Sequence, residues 1–182
     1  PFLERMAETG MIFQQAYAPS TWTLPSTVSL LTGKFPFEHG ICRHTSKVPS
    51  EIPSITDWLI NIDYSTLASA SAAFFEPSFG FGNFFQEFQY HSHCGQAPTV
   101  LKSAYEQIRK SKKPFFSLIN LYDAHDPYKC LRHHWGDPRR DNAGVISRWL
   151  AGTEPHRDSL DNILACYDDC ISYLDYQLES FA

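Results

Sequence analysis

The chain has 182 residues, 43% hydrophobic and 19% charged, with a formal net charge of -5 at pH 7. That length and composition suit one globular domain with a real core. The acidic balance argues against nucleic acid as the main partner, and no apolar run approaches membrane-spanning length.

Five cysteines (Cys42, Cys94, Cys130, Cys166, Cys170) are scattered and odd in number, which excludes a disulfide framework. Cys166 and Cys170 share a helix face and read as small buried apolar residues. The start, Pro1 to Met6, has neither an initiator Met nor a signal-peptide pattern, so a fragment of a longer protein is expected.

In chain order, Leu3, Met6 and Ala7 predict a short helix stopped at Gly10. Met11 to Tyr17 reads as a strand. Pro25 to Leu31 predicts a helix with Pro in its first turn, Leu30 and Leu31 on its apolar side and Gly33 closing it. Ser54 to Asp57 is a capping box ahead of Trp58, and Tyr64 to Ser69 reads as a strand. Phe74 to Tyr90 holds seven Phe with Gly and Pro breaks and reads as an aromatic loop.

Val100 to Arg109 predicts a helix. Phe115 to Tyr122 is nearly continuously apolar and predicts a strand buried on both faces of a parallel sheet. Pro127 to Gly152 reads as a polar surface excursion. Leu160 to Phe181 carries apolar residues at three- and four-residue spacing, a long amphipathic helix. Strands alternating with helices give an α/β class.

Two constellations carry chemistry. Thr23 precedes Pro25 at a predicted helix start, where free N–H groups and the positive dipole end favour anions. It either caps the helix or, once a base or metal takes its proton, acts as a nucleophile. The second is the loop Tyr122 to Tyr128, directly after the apolar strand, where open parallel sheets place working residues. There His125 either donates to an ester oxygen, oriented by Asp123 or Asp126, or sits exposed in an Asp-Pro turn. Lys34 and His39 follow the first constellation and either neutralise an oxyanion or are solvated. His91, His93 and Cys94 resemble a metal cluster only superficially, and His133 and His134 have no stronger claim.

These motifs, in this order, resemble the sulfatase family of the alkaline-phosphatase-like superfamily over nearly the whole chain. Pro1 to Phe13 is similar to the helix and strand after the family's first metal-binding loop. Tyr17 to Ser20, Leu24 to Pro36 and Glu38 to Ile41 resemble its nucleophile segment. Asp123 to Tyr128 resembles its substrate-binding His loop, and Cys166 to Asp175 the helix before its second metal-binding loop. The resemblance implies an α/β, alkaline-phosphatase-like fold, a mostly parallel sheet flanked by helices and incomplete at both ends. Residues 1–182 would be a partial catalytic domain lacking the first and last metal-binding loops.

It also implies a metal-dependent hydrolase of sulfuric or phosphoric esters on a small molecule or glycan. Thr23 would be nucleophile and metal ligand, His125 catalytic, and Thr27, Lys34 and His39 substrate-binding. The metal would be divalent, of the Ca or Zn/Mn type. The family keeps Cys or Ser, oxidised to formylglycine, where Thr23 stands, so no formylglycine is expected. Its Arg four residues later is Thr27, and residues 65–75 contain no Lys or His where the family has both. The chain alone is therefore expected to be inactive. The alternatives are a phosphotransferase of the same superfamily and a non-catalytic module of the same fold.

Overall fold

A computed structural model describes residues 1–129, 132, 134–140, 142–153 and 156–182. Its helices are α1 (Phe2–Thr9), α2 (Thr23–Thr32), α3 (Pro36–His39), α4 (Ile55–Asn61), α5 (Ala97–Lys110), α6 (Asn142–Leu150) and α7 (Arg157–Phe181). Its strands are β1 (Ser65–Ala70), β2 (Glu87–Tyr90) and β3 (Phe115–Asn120). Cys130 and His133 lie outside the described residues. The chain divides into two compact units, Phe13–Leu121 and Pro1–Ile12 with Tyr122–Ala182.

The first unit is built on a parallel sheet of order β2-β1-β3. Leu67 pairs with Glu87 on one side and with Ser117 on the other. The central strand is β1, buried from Thr66 to Ala70. Its small Ala68, Ser69 and Ala70 let α5 approach closely. Ser69 Oγ donates to the Val100 carbonyl at 2.8 Å, and Gln107 Nε2 donates to the Ala68 carbonyl at 3.2 Å. The stripe Ala97, Val100, Leu101 and Ala104 is the buried face of α5. As predicted, Ser54 caps α4: its hydroxyl accepts from the Asp57 N–H while the Asp57 carboxylate accepts from the Ser54 N–H.

The strand expected to be buried on both faces, β3, is half-buried and stands at an edge of the described sheet. Its apolar run fits an edge because one flank faces a cavity of about 860 Å³, lined by Leu30, Leu31, Ile55, Phe116 and Leu118 among others. The hydrogen bonds from Ser65 N–H to the Pro114 carbonyl and from Ser71 N–H to the Asn120 carbonyl fix which groups meet β1. The backbone groups of Phe115, Ser117 and Ile119 consequently face outward, unpaired among the described residues.

Two further expectations are corrected. Met11 to Tyr17 forms no strand; every residue there is exposed and none pairs with a described strand. Phe74 to Tyr90 is not loop throughout: three 3-10 turns lead into β2. The turns bury Phe75, Phe81 and Phe84, the ring pair Phe75–Phe81 lying 4.6 Å apart. The excursion after Pro127 likewise contains α6.

The second unit is organised by α7, 25 residues long. Cys166, Asp169, Cys170 and Tyr173 form its buried stripe at i, i+3, i+4 and i+7. Both cysteines are free and buried, as expected. Asp169 is acceptable there because its carboxylate accepts the backbone N–H groups of His134, Trp135 and Gly136 at 2.8 to 3.2 Å. Asp175, two turns on, caps α1 from a distance, accepting the Phe2 and Leu3 N–H groups at 2.7 and 2.8 Å. The Leu3 N–H bond, above all, holds the Asp175 carboxyl below its ordinary range.

Candidate functional site

α2 begins two residues before the predicted start. Trp22, in extended conformation (φ -143°, ψ 161°), is the N-cap and Thr23 the first helical residue. Thr23 therefore does not cap the helix with its side chain, and its half-buried hydroxyl has no hydrogen-bond partner among the described residues. Pro25 has no N–H, so the free donors of this first turn are those of Thr23 and Leu24. Leu24, Val28 and Leu31, at i, i+4 and i+7, bury the helix, while Leu30, expected on that side, is 71% exposed. Gly33 closes α2 in the left-handed region (φ 68°), its N–H donating to the Ser29 carbonyl at 2.9 Å.

Lys34 and Thr27 lie together. They line a cavity of about 580 Å³ on the flank of α2 with Tyr17, Ser26 and Ser29 among its other walls. His39 is placed differently. Its Nδ1 accepts the Ile41 N–H at 3.0 Å, which puts the ring proton on Nε2, 3.0 Å from Ser29 Oγ. The ring joins α3 to α2, and both nitrogens expected to meet an anion are engaged by protein. Burial lowers the His39 pKa, opposed by the Pro25 carbonyl and Glu38.

In the second unit the His125 loop is a compact turn. The imidazole stacks on Tyr122 with centroids 4.4 Å apart and planes 15° apart. Nδ1–H faces the Asp126 carbonyl oxygen at 2.9 Å and Asp126 Oδ1 at 2.7 Å. Nε2 remains the nitrogen without a partner among the described residues, on a half-exposed ring suited to giving or accepting a proton. Asp123, the other expected orienting carboxylate, is buried.

Among the described residues no group of three or more His, Cys, Asp or Glu side chains is placed to hold a metal ion. His91 is instead tied to the core: Ser69 Oγ, already donating to Val100, accepts from His91 Nε2 at 2.9 Å. Thr23 offers one oxygen, so the described residues do not by themselves fit a divalent cation.

The sulfatase family model matches residues 1–182. The chain belongs to the sulfatase family. An ulvan-active sulfatase of Formosa agariphila is 23% identical over 141 residues, 73% of this chain and 27% of that relative. The N-acetylglucosamine-6-sulfatase of Homo sapiens is 45% identical over 40 residues, 22% of this chain and 7% of that enzyme. Among solved structures, the lipoteichoic acid synthase LtaP from Listeria monocytogenes aligns with a TM-score of 0.59 at 17% identity, covering 89% of this chain and 39% of LtaP. Ps i-CgsB in complex with k-i-k-neocarrahexaose aligns at 0.58 and 14% identity, covering 100% of this chain and 49% of its own. This sulfatase-family chain thus spans 27% or less of these curated relatives, and under half of either solved neighbour. The parallel sheet flanked by helices is the alkaline-phosphatase-like fold.

Sequence reasoning gave no role to Trp22 and His44, whose rings lie stacked at the start of α2. The signal available was a Trp immediately before the nucleophile position. Nothing in the spacing pointed to His44.

Proposed function

We propose that the protein containing this chain hydrolyses an anionic ester, sulfuric or phosphoric, carried on a saccharide, with Thr23 as nucleophile. The observation that carries the reading is the Thr23 hydroxyl at the first position of α2, beside two free N–H donors, in a sulfatase-family chain. The saccharide rests on the relatives, named for ulvan and N-acetylglucosamine, and on a neighbour bound to neocarrahexaose.

In this reading Thr23 Oγ loses its proton and bonds to the sulfur or phosphorus. The bond to the ester oxygen breaks, and the departing alcohol takes up a proton. Water then releases the anion from Thr23. His125 Nε2 supplies a hydrogen bond or proton to ester oxygens. A Thr side chain cannot become an aldehyde, so formylglycine has no part. The carboxylates needed for a divalent cation of the Ca or Zn/Mn type would come from outside these 182 residues. Such a cation would stabilise charge on the ester oxygens.

A plain alkoxide suits phosphoryl transfer, where positioning and electrostatics do most of the work, so phosphate esters are expected to react faster than sulfates. The test is Thr23→Ala in the full-length parent, assayed on paired aryl phosphate and aryl sulfate esters. The reading predicts loss of turnover on whichever ester wild type accepts. Intact turnover, or no turnover of either by wild type, contradicts it, and the latter result favours the non-catalytic alternative.

A further inference from the structure

Four rings gather at the start of α2 without joining the core. The Trp22 indole lies against the His44 imidazole, with centroids 4.5 Å apart and planes 24° apart. Phe74 stands edge-on to Trp22 at 4.9 Å and 5.5 Å from His44. Phe79 in turn is edge-on to Phe74 at 5.3 Å. His44 is exposed and the other three are half-buried, whereas the nearby Phe75 and Phe81 are 1% and 0% exposed.

Burying a large ring is strongly favourable, so rings left at the surface next to a reactive position call for a reason. The backbone separates the two sets. Ala72, just beyond the carboxyl end of β1, sits at φ 108°, ψ 152°, a conformation costly for a residue with a Cβ. It is held there by its N–H to the Ser92 carbonyl at 3.3 Å and by the Phe75 N–H on its own carbonyl at 3.1 Å. From this bend Phe74 joins Trp22 and Phe75 joins the core. The ring cluster therefore lies beyond the carboxyl end of the central strand, the working edge of a parallel sheet, and abuts Thr23 in the chain.

We propose that Trp22, His44 and Phe74 form an aromatic ledge on which the sugar ring bearing the ester packs. This rests on the reading of Thr23 above and deepens it. A pyranose offers a flat face of C–H groups edged by hydroxyls. Stacked rings match that face with little conformational entropy to lose, and the exposed His44 adds a polar tip for hydroxyls. The ledge therefore selects the alcohol half of the ester, whether the anion is sulfate or phosphate.

The test is calorimetric binding to the full-length parent carrying Thr23→Ala, so that it reads affinity without turnover. The ligands are N-acetylglucosamine 6-sulfate and 6-phosphate, within a panel of esterified saccharides, against ethyl sulfate and ethyl phosphate. His44→Ala, at an exposed position, and Trp22→Ala are each expected to weaken saccharide binding by about threefold to tenfold. The ethyl esters are expected to bind as before. Equal weakening for both ligand types, unchanged saccharide binding in both variants, or no saccharide binding at all overturns the ledge. Turnover retained by Thr23→Ala would instead contradict the nucleophile and leave the ledge standing.

Discussion

Asp169 holds the turn that follows the His125 loop in the chain, and Asp169→Asn tests how strongly. The residue is 2% exposed. Oδ1 accepts the His134 and Trp135 N–H groups at 2.8 and 3.2 Å, and Oδ2 accepts those of Trp135 and Gly136 at 3.1 and 2.9 Å. The substitution turns one oxygen into a donor facing donors and removes the charge from the other. Hydrogen bonds to charged groups contribute about 1.5–3 kcal/mol each. With two lost and the third weakened, local protection falls by about 3–5 kcal/mol, or roughly 100- to 1000-fold in amide exchange. Hydrogen–deuterium exchange at His134, Trp135 and Gly136 reads this directly. Asp168→Asn, on the exposed side of α7, is the control and changes nothing at these amides. Unchanged exchange at all three amides in Asp169→Asn would refute the reasoning.

Gly136→Ala places a Cβ 2.4 Å from Cys166 Sγ and 2.6 Å from the Cys166 backbone nitrogen, costing about 2 kcal/mol or more in thermal unfolding. Adding Cys166→Ala does not rescue it, because the backbone contact remains. Burial lowers the pKa of both His39 and His91, so the folded state favours their neutral forms. Their stabilisation is full above the ordinary value of 6.5 and is lost as pH falls through the lowered folded values. Melting temperature should therefore drop on acidification below that point, less steeply in a His39→Gln, His91→Gln variant; identical slopes would contradict this. Expressed alone, the 182-residue chain should aggregate through the outer edge of β3, and Ile119→Lys should raise its soluble fraction. A soluble monomer with a sharp thermal transition would count against that.

The elements legible in the sequence were those whose signal is local. The Ser54 capping box, the Gly33 stop and the three- and four-residue period of α7 each depend on neighbours within a turn or two, and each appears in the structure. What failed depended on partners distant in sequence. Phe115 to Asn120 is more apolar than Ser65 to Ala70, yet the small residues of β1 take the sheet centre because α5 packs on them. Met11 to Tyr17 has strand-forming residues but no described strand beside it. Asp169 falls on the apolar stripe of α7, and only the three N–H groups brought from residues 134–136 make its burial tolerable. At the candidate site, Thr23 and His125 were legible from motif order. His39 was not, because its tie to Ser29 and Ile41 is set by how α3 folds back on α2.

The most direct test of the account is to quench the full-length parent during turnover and map covalent modification by peptide mass spectrometry. The account predicts a sulfuryl or phosphoryl ester on Thr23, absent from Thr23→Ala. Sustained turnover with Thr23 unmodified, and undiminished in Thr23→Ala, would contradict it.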